Sequence, residues 1–238
     1  MRAMAVMSPD ISVVIPTLNS SRTIAACLEA VNRESAEVVV VDDCSSDDTQ
    51  EIARLHGATV IEITKKSAAA ARNLGVAHST GGIIAYTDAD CLPAPGWLDA
   101  IRTAFGESPD VDIIGGSIRF REDTMFRRAY AAMYHLIDEK SFADGSNMLP
   151  AMNLSVRRRV FKELVFDETL PGALCDDVDF LQRALSLGKK IRYHPEIVVT
   201  HLNPANFRSY IRQEIRHGMG DLIFRRRYPE SAAAKASA

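Results

Sequence analysis

Four short apolar runs, each followed by a stretch with helical spacing, limit what this chain can fold into more than any other feature. The runs are Ile11-Ser12-Val13-Val14-Ile15-Pro16, Glu37-Val38-Val39-Val40-Val41, Ala58-Thr59-Val60-Ile61-Glu62-Ile63 and Ile83-Ile84-Ala85-Tyr86. Strands that are apolar on both faces are covered on both faces, and regular strand–helix alternation builds a parallel sheet. Pro16 is expected to stop the first strand. Ser20 or Ser21 is placed to cap a helix carrying Ile24, Cys27, Leu28 and Val31. Asp47 or Asp48 opens a second helix that Gly57 ends, and Ser67 opens an Ala-rich third helix through Arg72, Asn73 and Leu74, ending near Thr80-Gly81-Gly82. The spacing predicts an α/β fold with a Rossmann-like, mostly parallel central sheet flanked by helices.

Two of these strands end in carboxylates: Asp42 and Asp43 after the second, Asp88 and Asp90 after the fourth. In open α/β sheets ligands collect outside the carboxyl ends of the strands. Carboxylates grouped there repel one another unless a cation, a sugar hydroxyl or a hydrogen-bond donor lies between them. Mg²⁺ and Mn²⁺ suit the position, because they take oxygen ligands and often keep only one or two carboxylates beside substrate phosphates. The alternative is a loop of two solvated acids, one of them capping the helix after Pro95. The chain has no GxGxxG and no P-loop, so dinucleotide dehydrogenases and P-loop NTPases are not expected.

The second half is less regular. Val111 to Ile118 reads as a strand whose Gly115-Gly116 pair suits a close backbone approach. Met125 to Ile137 is amphipathic through Phe126, Tyr130, Met133, Tyr134 and Ile137. It reads as a core-facing helix or, with Arg127 and Arg128, as a lipid or partner surface. A Gly- and polar-rich flap is expected over 142–148, a strand over Met152 to Val156, and a helix that Cys175 to Arg183 opens, with its acids at the positive end, and that Leu187-Gly188 ends. Ile197 to His201 is a last strand, and Phe207 to Met219 a last helix. The division is a regular half over 1–110, a smaller mixed half over 111–220 of the same domain, and a basic flexible tail over 221–238; the resemblance set out below makes the first the nucleotide-sugar-binding half and the second the acceptor-side half.

A formal net charge of −3 argues against general nucleic-acid binding. Cys27, Cys44, Cys91 and Cys175 form no CxxC pair, which points to a reduced, cytoplasmic setting. Residues 1–10 lack a signal-peptide core and no apolar run is long enough to span a bilayer. Contact with a membrane would therefore be peripheral, at its inner face.

In order and spacing these pieces resemble the family 2 inverting glycosyltransferases of GT-A fold. The resemblance rests on Ser12 to Asn19, Val40 to Asp47, Ala71-Arg72-Asn73, Thr87-Asp88-Ala89-Asp90, Asn153 to Arg158, Asp176 to Phe180 and His201. It implies that Pro16, Thr17 and Asn19 line the nucleotide cleft and that Asp43 bonds the base. It further implies that Arg72 holds the nucleotide, that Asp88 and Ala89 touch ribose or sugar, and that Asp90 binds a Mn²⁺ or Mg²⁺ ion under the diphosphate. His201 matches a second metal ligand of some members, and Asp177 matches the general base. Gly116, Asn153, Asp176 and Asp179 fall on the acceptor side. The alternative is that Asp176, Asp177 and Asp179 cap a helix and that His201 is a satisfied strand-end histidine.

Gln213-Glu214-Ile215-Arg216-His217 is similar to the QxxRW element of processive relatives, with histidine in place of tryptophan. The implied donor is a UDP-sugar, and the acceptor a glycan, a lipid-linked sugar or a small molecule. A sugar nucleotidyltransferase is the nearest alternative, although the Gly-rich loop and following Lys it needs are missing. A non-catalytic nucleotide-sugar-binding relative acting in glycan assembly is the other.

Overall fold

The computed structural model describes residues 10–31, 36–64, 67–121, 123–125, 127–128, 131–132, 149–170, 175–202 and 207–231. Its first half alternates as the apolar runs require: β1 (Ile11–Thr17), α1 (Ile24–Val31), β2 (Glu37–Asp42), α2 (Thr49–Leu55), β3 (Thr59–Glu62), α3 (Ala68–Ala77) and β4 (Ile83–Tyr86). There follow β5 (Cys91–Pro93), α4 (Trp97–Glu107), β6 (Ile113–Phe120), β7 (Leu154–Arg157), α5 (Asp176–Ser186), β8 (Ile191–His201) and α6 (Phe207–Arg227).

Among the described residues one eight-stranded sheet runs in the order β3-β2-β1-β4-β7-β6-β8-β5. The β3-β2-β1-β4 portion is parallel. The chain leaves β1 toward β2 and β3, then returns to β4 on the other side, so a topological switch point lies between β1 and β4. β4 and β6 both pair antiparallel with β7, and β8 runs parallel to β6 and antiparallel to β5.

Burial on both faces explains the unbroken apolar runs. Along β1, Ile11, Val13 and Ile15 face a core built with α1 and α4, whereas Val14 faces a second core shared with α3 and α5. A Cβ on Gly75 of α3 would stand 2.3 Å from Val14 Cγ1, so glycine lets that helix lie close against β1.

Pro16 does not stop β1, which pairs with β2 through Pro16↔Val41 to Thr17↔Asp42. Successive residues of a strand direct their backbone groups to opposite sides, and Thr17 O accepts from Asp43 N on the β2 side. The missing N–H of Pro16 therefore falls on the β4 side, beyond Val14↔Tyr86, where pairing with β4 ends.

Three other expectations change. β5 was not foreseen, and β8 begins at Ile191 rather than Ile197. The first part of the supposed tail, 221–227, is helical, since α6 continues to Arg227 with Phe224 buried, and 232–238 lie outside the described residues. Of the 125–137 helix, positions 125, 127–128 and 131–132 are helical and Ala131 is buried against Ile118 and Phe120. Phe126, Tyr130, Met133, Tyr134, Ile137 and the 142–148 flap lie outside the described residues.

Candidate active site

The carboxyl ends of β1, β2 and β4 meet at the switch point. Asp42 is buried there as a scaffold: it accepts from Ser45 N at 2.9 Å, from Gln50 Nε2 at 2.8 Å and from Ser45 Oγ. This holds the turn that presents Asp43, whose side chain is half-buried. Thr17 is buried and its hydroxyl has no hydrogen-bond partner among the described residues, nor has that of Thr87. Buried hydroxyls normally find a partner, so both mark a place prepared for one.

Asn19, expected along the cleft, has φ +50° and clasps the two turns together. Its Oδ1 accepts from Ser46 N at 2.8 Å and its own N–H donates to Ser45 Oγ at 2.7 Å. Pro16 is half-buried within β1. Ala89 departs from expectation, its side chain being buried in the α1/α4 core.

Pairing of β5 with β8 sets Cys91 opposite His201. As a result His201 Nε2 lies 3.3 Å from Asp90 Oδ2, and Leu202 N donates to Asp90 O at 2.9 Å. Ligating atoms of Asp90, Cys91 and His201 lie within 4.8 Å of one another. Burial pushes the Cys91 thiol well above its ordinary value, leaving a protonated sulfur that is a poor ligand. A carboxylate oxygen and an imidazole nitrogen remain, a donor pair that fits Mn²⁺ or Mg²⁺ with substrate oxygens filling the other positions. Burial alone would raise the Asp90 carboxyl, but the His201 contact outweighs it and holds it below the usual range. Asp88 moves the other way: burial raises it and the Asp90 charge adds to the rise, with Arg72 opposing.

Arg72 joins this end of the site to α5. It is 5 % exposed, its Nη2 lies 3.5 Å from Asp88 Oδ1, and its Nη1 forms an ion pair with Asp176 Oδ2. Burial would lower the guanidinium; the carboxylates of Asp176 and then Asp88 more than restore it. Arg72 thus braces two acids together, where the resemblance implied contact with nucleotide, and Asp176 is an interior partner instead of an acceptor contact. The next residue, Asn73, fixes the 166–168 segment by exchanging bonds with Phe166 N and O, both at 2.9 Å.

Of the three acids opening α5, Asp177 is the one whose side chain stays half-exposed; Asp176 and Asp179 are buried. Asp177 Oδ2 accepts from Ala151 N at 3.2 Å and Oδ1 from Val178 N at 2.9 Å, which orients the carboxylate. Its charge is felt by both Arg72 and Asp176. His201, Asp90, Asp88, Arg72, Asp176 and Asp177 therefore form one unbroken electrostatic series across the switch point.

The remaining acceptor-side expectations turn out to be framework. Asp179 is paired with Arg183 at 2.7 Å and accepts from Tyr228 Oη at 2.7 Å. The Asn153 amide donates to Ser117 O and Ile197 O and accepts from Trp97 Nε1, so its hydrogen-bonding capacity is consumed in the interior. A Cβ on Gly116 would stand 2.1 Å from Ile197 O, which is the close backbone approach the glycine pair suggested. A groove lined by Asn73, Phe166, Asp167, Glu168, Arg183 and Arg227, among others, shares no residue with the acidic series; Arg183 is paired with Asp179, Arg227 with Asp167, and Glu168 accepts from Asn73 Nδ2.

The glycosyl transferase family 2 model matches residues 12–165. The chain belongs to glycosyl transferase family 2. Its matched span contains Asp43, Asp88 and Asp90 but stops short of Asp177 and His201. Glycosyltransferase AglE of Haloferax volcanii is 30 % identical over 231 residues, covering 90 % of this chain and 73 % of that protein. The pre-mycofactocin glycosyltransferase of Mycobacterium tuberculosis is 26 % identical across 94 % of this chain, which spans 49 % of its length.

A mannosyltransferase from Pyrobaculum calidifontis, solved with GDP-mannose and Mn²⁺, superposes at a TM-score of 0.76. That match has 22 % identity and covers 98 % of this chain and 70 % of the other. Glucosyl-3-phosphoglycerate synthase of M. tuberculosis, solved with Mn²⁺, UDP and phosphoglyceric acid, gives 0.63 at 21 % identity, covering 82 % and 72 %. This family 2 member is thus a GT-A-type glycosyltransferase by fold and family.

Proposed function

We propose that this chain transfers a sugar from a nucleotide donor, a UDP-sugar in the first instance, to an acceptor hydroxyl by one inverting, cation-dependent displacement. The observation that carries the reading is the continuity of the acidic series. A cation-suited pair, Asp90 and His201, stands at one end, and a half-exposed carboxylate on a different element, Asp177, stands at the other. A divalent cation held by Asp90 and His201 supplies Lewis-acid neutralisation of charge developing on the leaving diphosphate.

The chain's own residues do the rest. Asp43 accepts from an N–H of the base, and the buried Thr17 and Thr87 hydroxyls offer donors at the strand ends. Asp88, braced by Arg72, meets ribose or sugar hydroxyls. Asp177 takes the acceptor's proton as the new glycosidic bond forms, help that is typically worth about 10²–10⁴-fold. Attack opposite the departing diphosphate inverts the anomeric carbon. The relatives solved with UDP, GDP-mannose and Mn²⁺ support this donor class and metal. The acceptor is a glycan, a lipid-linked sugar or a small molecule.

The test is a panel of UDP- and GDP-sugars offered with Mn²⁺, with Mg²⁺ or with chelator. Thermal stabilisation and nucleotide release are followed, and the product anomer is read by NMR. Donor stabilisation that needs the cation and an inverted product are expected. A retained configuration, or donor binding indifferent to chelator, contradicts the reading.

A further inference from the structure

The outer face of α6 exposes four large apolar side chains. Ile211, Ile215, Met219 and Leu222 are 41, 60, 53 and 59 % exposed. Steps of three and four residues along a helix keep one face, so these four form a single stripe. The opposite side packs inward through Gly220 and Phe224.

At 3.6 residues per turn, exposed Arg208 and Arg226 fall within the arc of the stripe, while Arg216 and Glu214 lie about 60° outside it on opposite sides. Arg225, paired with Asp221, joins them, while the acids Glu214 and Asp221 are half-buried on the flank. Among the described residues no helix is long and apolar enough to cross a membrane. An apolar stripe bordered by arginines is the pattern of a helix lying in the plane of a bilayer surface.

The geometry points to an anionic phospholipid surface as the occupant of this face. Charge decides against a second copy: stacking two such faces would bring Arg208 and Arg226 of both into the contact with no acid inside the stripe to offset them. The position also suits a transferase. The far end of α6 is pinned by Arg227 to Asp167 and by Tyr228 to Asp179, in the same first turn of α5 as Asp177. A helix is about 10–12 Å across, so a bilayer on the outer face lies about one helix diameter from that turn. The proposal rests on α6 alone and does not depend on the transfer reading.

Co-sedimentation with vesicles tests it, comparing phosphatidylcholine alone with phosphatidylcholine mixed with phosphatidylglycerol. The protein is expected to pellet with the mixed vesicles and to be released by salt. Ile215→Asp with Leu222→Asp should weaken partitioning on the order of a hundredfold. Arg208→Gln and Arg226→Gln should each cost about fivefold. These side chains are solvent-facing, so unchanged melting curves and circular dichroism show that the variants remain folded. Three results would overturn the proposal: wild-type protein left in solution with both vesicles, variants that pellet like wild type, or a dimer that the double variant dissociates while vesicles bind neither.

Discussion

Asp88 and Asp90 are separated by one residue yet serve different ends. Asp90 faces His201 across the β5–β8 pair, whereas Asp88 faces Arg72 from α3. Asp90→Ala should therefore cut nucleotide-diphosphate affinity in Mn²⁺ and leave affinity in chelator unchanged, as titration calorimetry would show. Equal losses in both conditions would remove Asp90 from the cation site. Arg72 is different in kind. Its guanidinium is buried between two carboxylates, so Arg72→Ala leaves uncompensated charge in the interior and should cost about 3–5 kcal/mol in urea unfolding. A loss near zero would show that the pair contributes only binding. Motif spacing made Asp43, Asp88, Asp90 and Asp177 legible, because each sits within a short recognisable run. The Arg72–Asp176 pair was not legible, since its partners are 104 residues apart in the chain. Nor were the roles of Asn153 and Asp179, whose partners Trp97, Ile197 and Tyr228 come from other elements.

The helices and strands show where local pattern suffices. β1 to β4 and α1 to α3 were readable because each carries its own apolar period and its own punctuation, such as Ser67, which accepts from Ala70 N to cap α3. β5, three residues long, has no period to read and exists only because β8 pairs with it. The last turns of α6 were mistaken for tail because Arg225-Arg226-Arg227 reads as a solvated charge run, while the anchors Phe224 and Tyr228 flank it on one side of the helix.

Tyr228 gives that anchor a pH signature. Burial, then the hydrogen bond to Asp179, pushes its hydroxyl from 10.0 up to about 12. A folded-state value above the unfolded one stabilises fully below the unfolded value. The contribution is lost as pH rises through the folded one. Wild-type stability should fall between pH 10.0 and about 12 by more than that of Tyr228→Phe, measured by denaturant unfolding across that range. Parallel curves would unseat the hydroxyl from this role. At the opposite edge of the site, Gly116→Ala would drive a Cβ into the Ile197 carbonyl. It should destabilise by about 1–3 kcal/mol, the usual cost of overpacking, and a melting temperature equal to wild type would show that β6 and β8 can part there.

At the scale of the molecule, a single sheet among the described residues joins a parallel portion that gathers strand-end acids to a mixed portion that delivers α5. The parallel portion follows from apolar patterning alone. The β7-β6-β8-β5 order does not, because those pairings link segments far apart in the chain, and their strands alternate burial irregularly. What the architecture achieves is convergence: a cation-suited pair from the strand ends and an oriented carboxylate from α5, linked at one switch point by Arg72. The most direct measurement of that claim is Asp177→Asn, assayed for both donor affinity in Mn²⁺ and transfer rate. The account predicts unchanged nucleotide-sugar affinity with transfer slowed by about 10²–10⁴-fold. Wild-type turnover in the variant, or donor affinity lost together with transfer, would contradict it.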